Sequence, residues 1–373
     1  MKRILLGAIP FVVAAAGRNA GPAVNVTAFG AASAWANTVR TAMAQMLEEA
    51  GAERVFVEAE LSVSGNQLRL ADSSACCFGP LSEEGARRAA QQCAAAILVR
   101  HGMRPLWGTR IFYTSVRNRS KEIWVMDWDG RNQRQLTAYD SVTSFVAVSP
   151  DNSKLAYTTL ARGNSSLAIM ATDTGRLLPF YNPVASVNAA PEFLPDGRLV
   201  FASTAHGGLL NLYIANSDGS GLRRLTNVRA VETEPKVNPR TGSEIVFTSG
   251  RSGAAQIYRM NLDGTGLTRI TTGGGEAGNP AWSPQGDRIA FSWKQTYGTG
   301  FQIFVYNTET RKLTQLTQGG RRNENPTWAP DGRHIAFSSA RSGSTQIWTM
   351  LADGSRQRQL TFEHRNENPV WSH

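Results

Sequence analysis

The chain has 373 residues, a formal net charge of +10, 35 glycines and 16 prolines. This length allows one large and one small domain, and frequent turn residues between short apolar runs favour many short strands over long helices. The basic residues are scattered, not clustered or interleaved with aromatic residues, so we interpret them as a solvated surface and expect no nucleic-acid partner.

The N-terminal segment "MKRILLGAIPFVVAAAG" is typical of a secretory signal. Two basic residues precede an apolar run that is too short to cross a bilayer, and alanines at small-residue spacing follow it. We therefore interpret residues 1–16 as a signal peptide and expect no direct membrane insertion. A buried N-terminal strand is the alternative interpretation.

Residues 17–104 are expected to form a small α/β domain with the order β-α-β-β-α. Ser33 can cap a first helix, and the runs "RVFVEAELSV" and "QLRLAD" indicate a hairpin. Ser82, followed by two glutamates, opens a second helix that runs to about Arg100. The apolar side of the first helix consists of Trp35, Val39, Met43, Met46 and Leu47.

The three cysteines, Cys76, Cys77 and Cys93, all lie in this small domain. In an exported protein Cys93 could pair with either of the other two, whereas the adjacent Cys76 and Cys77 are poorly placed to pair with each other. The alternative is that all three are buried as small apolar residues. None of them has the spacing of a zinc site.

From Trp107 onward the chain is self-similar. Each complete repeat contains four short strands, and a period of 44 to 46 residues with four strands is typical of a propeller blade. The turn before the second strand of each repeat falls at Gly108, Ser153, Gly197, Gly242, Gly286 and Gly332.

The first repeat lacks its first strand, and residues 367–373, "ENPVWSH", are a first strand without a repeat of their own. Residues 105–373 are therefore predicted to form a six-bladed β-propeller in which the C-terminal strand completes the first blade and removes an open edge. Trp371 then occupies the position of Trp328 in its blade. The bulky residues at this position, expected to pack between blades, are Val148, Phe193, Val237, Trp282 and Trp328.

The repeat "NPTWAPDGRHIAFSSARSGSTQIWTMLADGSRQRQLT" resembles the PD40 repeats of the TolB family. That family also has a signal peptide and a small α/β domain before a six-bladed propeller. The resemblance implies a mainly β, periplasmic, non-enzymatic scaffold of the Tol–Pal system that supports outer-membrane integrity and cell division. It implies no cofactor, and we expect a monomer.

Two partners follow from the resemblance. It implies that a peptidoglycan-associated, OmpA-like lipoprotein (Pal) docks on the propeller. It also implies that the N-terminal segment, often acidic in the family, reaches a TolA-like inner-membrane protein. Here no acidic residue precedes Glu48, which argues against the TolA contact.

The candidate partner-binding residues lie in loops, because the connections before the first strand and between the second and third strands share one face of a propeller. Glutamates and asparagines would surround the channel mouth, with arginines outside them. The structural interpretation is that these residues terminate turns and pair with one another. The functional interpretation is that they form a polar rim on which a partner docks. The candidates are Glu234, Arg251, Asn279, Arg322, Glu324, Asn325, Arg341, Arg365, Glu367 and Asn368.

An enzyme is the competing hypothesis. The chain has no G-x-S-x-G nucleophile motif, and its histidines lie in distant repeats without metal-ligand spacing. We expect no catalytic residue and no metal site. The alternatives that stay open are an exported PD40 propeller that binds another envelope ligand, and a propeller polysaccharide lyase or hydrolase with its site at the channel mouth.

Overall fold

The chain separates into two compact units, Met1–Trp107 and Gly108–His373. This boundary lies a few residues beyond the expected position of 104. The predicted signal peptide at residues 1–16 lies outside the described residues. The computed structural model describes residues 22–28, 30–52, 55–64, 67–72, 76–296, 298–319 and 322–373.

The first unit is a small α/β domain, as predicted. Its sheet has the strand order β1-β2-β3-β4, in which β1 is parallel to β2 and the other pairs are antiparallel. The described elements are β1 (Ala23–Ala28), a 3₁₀-helix (Gly30–Trp35), α1 (Ala36–Glu49), β2 (Phe56–Ser64), β3 (Gln67–Asp72), β4 (Cys76–Pro80) and α2 (Glu83–Arg100).

Two expectations for this unit were wrong. Ser33 does not cap α1, because it lies within the 3₁₀-helix, and Trp35 occupies the cap position without a side-chain cap hydrogen bond. The sequence also gave no sign of β4, whose residues "CCFGP" show no alternation and include Gly and Pro. The predicted start of α2 is confirmed: the hydroxyl of Ser82 accepts a hydrogen bond from the amide of Gly85 at 3.1 Å.

The second unit consists of six four-stranded antiparallel sheets. Blade 1 contains β5, β6, β7 and β28, and blades 2 to 6 each contain four consecutive strands. The strands are β5 (Arg110–Arg117), β6 (Ser120–Asp127), β7 (Arg134–Gln135), β8 (Thr143–Val148), β9 (Lys154–Thr159), β10 (Ser166–Ala171), β11 (Leu177–Leu178), β12 (Asn188–Phe193), β13 (Leu199–Ser203), β14 (Asn211–Ala215), β15 (Arg223–Arg224), β16 (Glu232–Val237), β17 (Glu244–Ser252), β18 (Ala254–Asn261), β19 (Thr268–Arg269), β20 (Glu276–Trp282), β21 (Arg288–Lys294), β22 (Gln302–Asn307), β23 (Leu313–Gln315), β24 (Asn323–Trp328), β25 (His334–Ser339), β26 (Gln346–Leu351), β27 (Arg358–Gln359) and β28 (Arg365–Trp371).

The innermost strands close a ring. Strands β8, β12, β16, β20, β24 and β28 pack side by side in this order, and β28 packs against β8. The predicted six-bladed propeller is therefore confirmed, and so is the C-terminal strand that closes the first blade. β28 pairs with β5 in antiparallel register, with Trp371 opposite Ile111 and Glu367 opposite Thr114.

Aromatic and bulky aliphatic side chains fill the space between blades. The predicted layer at the end of each innermost strand is buried, including Trp282, Trp328 and Trp371. The indole of Trp328 donates to the carbonyl of Ala281 in the preceding blade at 3.2 Å. A second buried layer comes from one position of the second strand of each blade: Tyr113, Tyr157, Phe201, Phe247, Phe291 and Phe337.

Candidate functional site

Each innermost strand contains a β-bulge at its third or fourth residue. The register of every innermost pair shifts at this point, and one residue adopts a φ between 51° and 55°. Asparagine tolerates this left-handed conformation better than most residues, which explains its recurrence before the strand proline. The bulged residues are Phe145, Ala190, Glu234, Asn279, Asn325 and Asn368.

The bulges tie neighbouring blades together. The amide of Asn325 donates to the hydroxyl of Ser292 at 3.1 Å, and the amide of Asn368 donates to Ser338 at 3.0 Å. In both pairs the hydroxyl belongs to the second strand of the preceding blade. Two predicted docking residues thus contribute their backbone to ring closure. The serines were not among the residues predicted from the sequence, although a hydroxyl recurs at this position of the "IAFS" segment.

Glu234 and Asn279 form a link of the same kind between blades 4 and 5. One carboxylate oxygen of Glu234 accepts from the side-chain amide of Asn279 and the other from its backbone amide, both at 2.8 Å. Thr248 donates to the same carboxylate at 2.8 Å. Glu234 therefore occupies the row of the bulged asparagines, not the row of Glu324 and Glu367, and its carboxylate is already bound.

Four of the predicted residues form one exposed charged cluster on blades 6 and 1. Arg322 contacts both carboxylate oxygens of Glu324, at 2.7 and 2.9 Å. Arg365 contacts Glu367 at 2.8 and 3.0 Å. The arginine side chains are 60% and 56% exposed, whereas the glutamate side chains are only 17% and 12% exposed. The cluster therefore presents two guanidinium groups to solvent, and each is paired with a more buried carboxylate.

Glu367 has a second cationic partner in its own blade, Lys121 on β6. Burial disfavours the charged carboxylate, but the hydrogen bonds and charges of Lys121 and Arg365 outweigh burial and hold the pKa of Glu367 below its usual value. The pKa of Arg322 is raised by its hydrogen bond and ion pair with Glu324, and Glu367 adds to this effect. Both groups are charged at neutral pH.

The structure does not place Arg251 and Arg341 on the outer rim. The guanidinium of Arg251 pairs with the fully buried carboxylate of Glu232 and lies over the ring of Tyr258, 5.1 Å from its centre. That of Arg341 donates to Ser339 at 2.8 Å and lies 4.7 Å from the ring centre of Trp348. Desolvation lowers the pKa of Arg341. Both arginine side chains thus pack against other residues of their own blade instead of extending into solvent.

The other half of the same face carries exposed apolar side chains that were not predicted from the sequence. They lie in blades 2 to 4, in connections that lead to a first strand or join the second and third strands, and at the bulge of β8. Outside this sector Phe362 is also exposed. The residues of this apolar sector are Val142, Phe145, Leu160, Val184, Leu209 and Val231.

Within the described ranges, no group of three or more His, Cys, Asp or Glu side chains is arranged to hold a metal ion. The same part of the chain contains no helix that is long and apolar enough to span a membrane. His334, near the start of β25, is paired with Asp331 at 2.6 Å. That imidazole therefore has a structural partner within its own turn.

Comparison with known proteins agrees with this geometry. The chain is 36% identical over 150 residues to a "Protein TolB homolog" of Chlorobium chlorochromatii, covering 40% of this chain and 33% of the relative. It is 32% identical over 174 residues to the "Tol-Pal system protein TolB" of Bordetella pertussis, covering 46% of this chain and 39% of the relative. The aligned segments thus span between a third and two fifths of the length of these relatives.

The crystal structure of TolB from Acinetobacter baumannii superposes with a TM-score of 0.76 at 18% identity, covering 95% of this chain and 97% of that one. At this identity the likeness shows the fold alone. The family model described as "TolB beta propeller domain" matches residues 101–296 and 274–373, well over half of the chain. The chain belongs to the PD40 TolB β-propeller family.

Proposed function

We propose that this protein is a periplasmic, non-enzymatic scaffold of the Tol–Pal type. On this proposal it acts as a monomer and docks a peptidoglycan-associated, OmpA-like lipoprotein (Pal) on the channel-mouth face, thereby supporting outer-membrane integrity and cell division. Family membership and the similarity to proteins named TolB support the proposal. The observation that carries it is the exposed guanidinium pair on that face.

The chemistry of the cluster defines what a partner must supply. The carboxylates of Glu324 and Glu367 are occupied by their own arginines, and Glu367 is further bound by Lys121. Arg322 and Arg365 keep exposed N–H groups that lie in a fixed fork and suit carboxylate or carbonyl acceptors. We therefore expect the docking surface of the lipoprotein to be acidic opposite blades 6 and 1.

The apolar sector completes the surface. Isolated exposed apolar residues are common, but several on neighbouring blades of one face are typical of a protein interface. An interface with an apolar region beside a charged region combines burial of surface with electrostatic steering. We place the apolar part of the lipoprotein surface opposite blades 2 to 4.

The proposal is tested by titrating the purified OmpA-like domain of the same organism into the chain without residues 1–16. Arg322→Glu combined with Arg365→Glu should weaken binding at least about tenfold, because like charges then face each other. Arg198→Glu is the matched control: Arg198 pairs with Asp196 at 2.7 Å and is similarly exposed, but it lies in the turn between first and second strands, on the opposite face. Equal affinity of all three proteins would overturn the proposal.

The N-terminal unit is not assigned a TolA contact. The family tether would have to precede β1, and no acidic residue occurs before Glu48. If the chain were an exported propeller for another envelope ligand, or a propeller enzyme, the OmpA-like domain would not bind specifically to the wild type. The titration therefore also separates these alternatives from the proposed scaffold.

A further inference from the structure

Helix α2 packs unusually close to strand β4 in the first unit. A Cβ atom added to Gly85 would collide with the backbone of Pro80, and one added to Gly79 would collide with the backbone of Gly85. Glycine is thus required at both positions for this approach. The side of α2 that is buried continues with small residues: Ala86, Ala89, Ala90, Cys93 and Ala94.

This close approach brings two thiols together. Cys77 lies two residues before Gly79, on the same buried side of β4 that approaches α2, and Cys93 lies on the buried side of α2. Both thiols are buried and free, and the opposite directions of their pKa shifts are those of a hydrogen-bonded pair. A disulfide requires this kind of proximity, since Cβ atoms must approach to about 4 Å.

We propose that Cys77 and Cys93 form a disulfide under oxidising conditions and so join β4 covalently to α2. The pairing rests on the structure of the first unit; only the expectation that cells supply an oxidising compartment rests on the proposed function. This is one of the two pairings that the sequence allows for Cys93, and it is supported by the buried positions of Cys77 and Cys93 on facing elements. Adjacent cysteines rarely bond to each other, which leaves Cys76 as the remaining thiol.

The reaction is ordinary thiol–disulfide exchange with a small or protein disulfide such as oxidised glutathione. The Cys77 thiolate attacks one sulfur of the reagent, which releases one reagent thiol and leaves a mixed disulfide on Cys77. The Cys93 thiolate then attacks the Cys77 sulfur and releases the second reagent thiol. The protein loses two electrons and two protons, and the reagent is reduced to two thiols.

The surroundings favour this order of attack. The hydrogen bond from Cys93 lowers the pKa of Cys77, against the effects of burial and of the nearby Asp72 carboxylate. The same hydrogen bond and burial raise the pKa of Cys93. Asp72 itself is bound by Arg100 at 2.5 Å, which ties β3 to the last turn of α2 beside the thiol pair.

The test is oxidative refolding of the full chain in a mixture of reduced and oxidised glutathione, followed by alkylation before and after reduction. We expect one alkylated cysteine per chain before reduction and three after it, with the peptide of Cys77 linked to that of Cys93 in the mass spectrum. Cys76→Ser should keep the link, and Cys93→Ser should lose it. The midpoint of thermal unfolding of the first unit should fall on reduction.

Three alkylated thiols without reduction, or a link between Cys76 and Cys93, would overturn the proposal. The same analysis on protein recovered from cells separates it from the proposed function. A link that forms during refolding but is missing in protein from cells would support the pairing and count against export. A link in both samples would support both.

Discussion

The indole of Trp371 donates a hydrogen bond to the hydroxyl of Thr109 at 2.9 Å, although 262 positions separate the two residues in the chain. One residue further along each segment, the amide of Ser372 donates to the carbonyl of Arg110 and the amide of Arg110 donates to the hydroxyl of Ser372. The last strand, β28, is thus hydrogen-bonded to β5, the first strand of the propeller in the sequence. The closed ring depends on this contact.

Removal of the Trp371 side chain should therefore destabilise the propeller strongly. Trp371→Ala leaves a cavity between blades and should lower the free energy of unfolding by about 3–5 kcal/mol, measured by urea denaturation. Deletion of residues 367–373 should leave little folded protein. Phe362→Ala is the control, since Phe362 is 74% exposed and its loss should change stability little. A Trp371→Ala protein as stable as the wild type would show that the closing strand is dispensable.

The buried pair of Glu232 and Arg251 should be sensitive to the loss of one partner. Glu232 is fully buried, and Arg251→Ala would leave its carboxylate without a cation, at a cost of about 3–5 kcal/mol. We expect that adding Glu232→Gln to Arg251→Ala restores part of this stability in urea denaturation. Additive losses in the double variant would mean that the two side chains do not interact as described.

Gly85→Ala should destabilise the first unit even though alanine favours a helix over glycine by about 1 kcal/mol. The new methyl group would meet the backbone of Pro80, and such overpacking typically costs about 1–3 kcal/mol. Faster hydrogen exchange of α2 amides would report the change. Arg88→Ala, an exposed position on the same helix, should leave exchange nearly unchanged. If both variants behave alike, α2 does not pack on β4 as closely as described.

The ion pairs of Glu367 should make stability depend on pH. Its pKa is lower in the folded protein than the ordinary value of 4.5, so the unfolded chain takes up the proton first as the pH falls. The stabilisation is therefore fully present above pH 4.5 and is lost as the pH falls through the lower folded-state pKa. Glu367→Gln should be less stable than the wild type at pH 7 and nearly equal to it at strongly acidic pH. A difference that is the same at both pH values would contradict the pairing.

Much of the fold could be predicted because each repeat carries its own signals. A glycine turn, an alternating second strand and a bulky residue before the strand proline recur at fixed spacing, and they fix the blades and the role of Trp371. β4 could not be predicted, because its five residues show no alternation and pair only through tertiary context. Ser33 was misjudged since it lies in a 3₁₀-helix just before α1.

The candidate site was predictable in part for a related physical reason. Arg322 and Arg365 stand two residues before a glutamate at the start of a first strand, so each pairing joins near neighbours in the sequence and could be predicted. Arg251 and Arg341 fold back onto an aromatic residue of the third strand, a contact that depends on the blade and not on neighbouring sequence. The apolar sector joins residues from three blades and has no signature within any single repeat.

The proposed docking of an OmpA-like lipoprotein is best tested by a capture experiment with the chain lacking residues 1–16. The wild type, the Arg322→Glu/Arg365→Glu variant and the Arg198→Glu control are immobilised, and detergent-solubilised envelope of the same organism is passed over each. We expect an OmpA-like lipoprotein to be retained by the wild type and the control and to be lost with the double variant. Retention by all three proteins would contradict the docking site, and failure of the wild type to retain any OmpA-like lipoprotein would contradict the proposed partner.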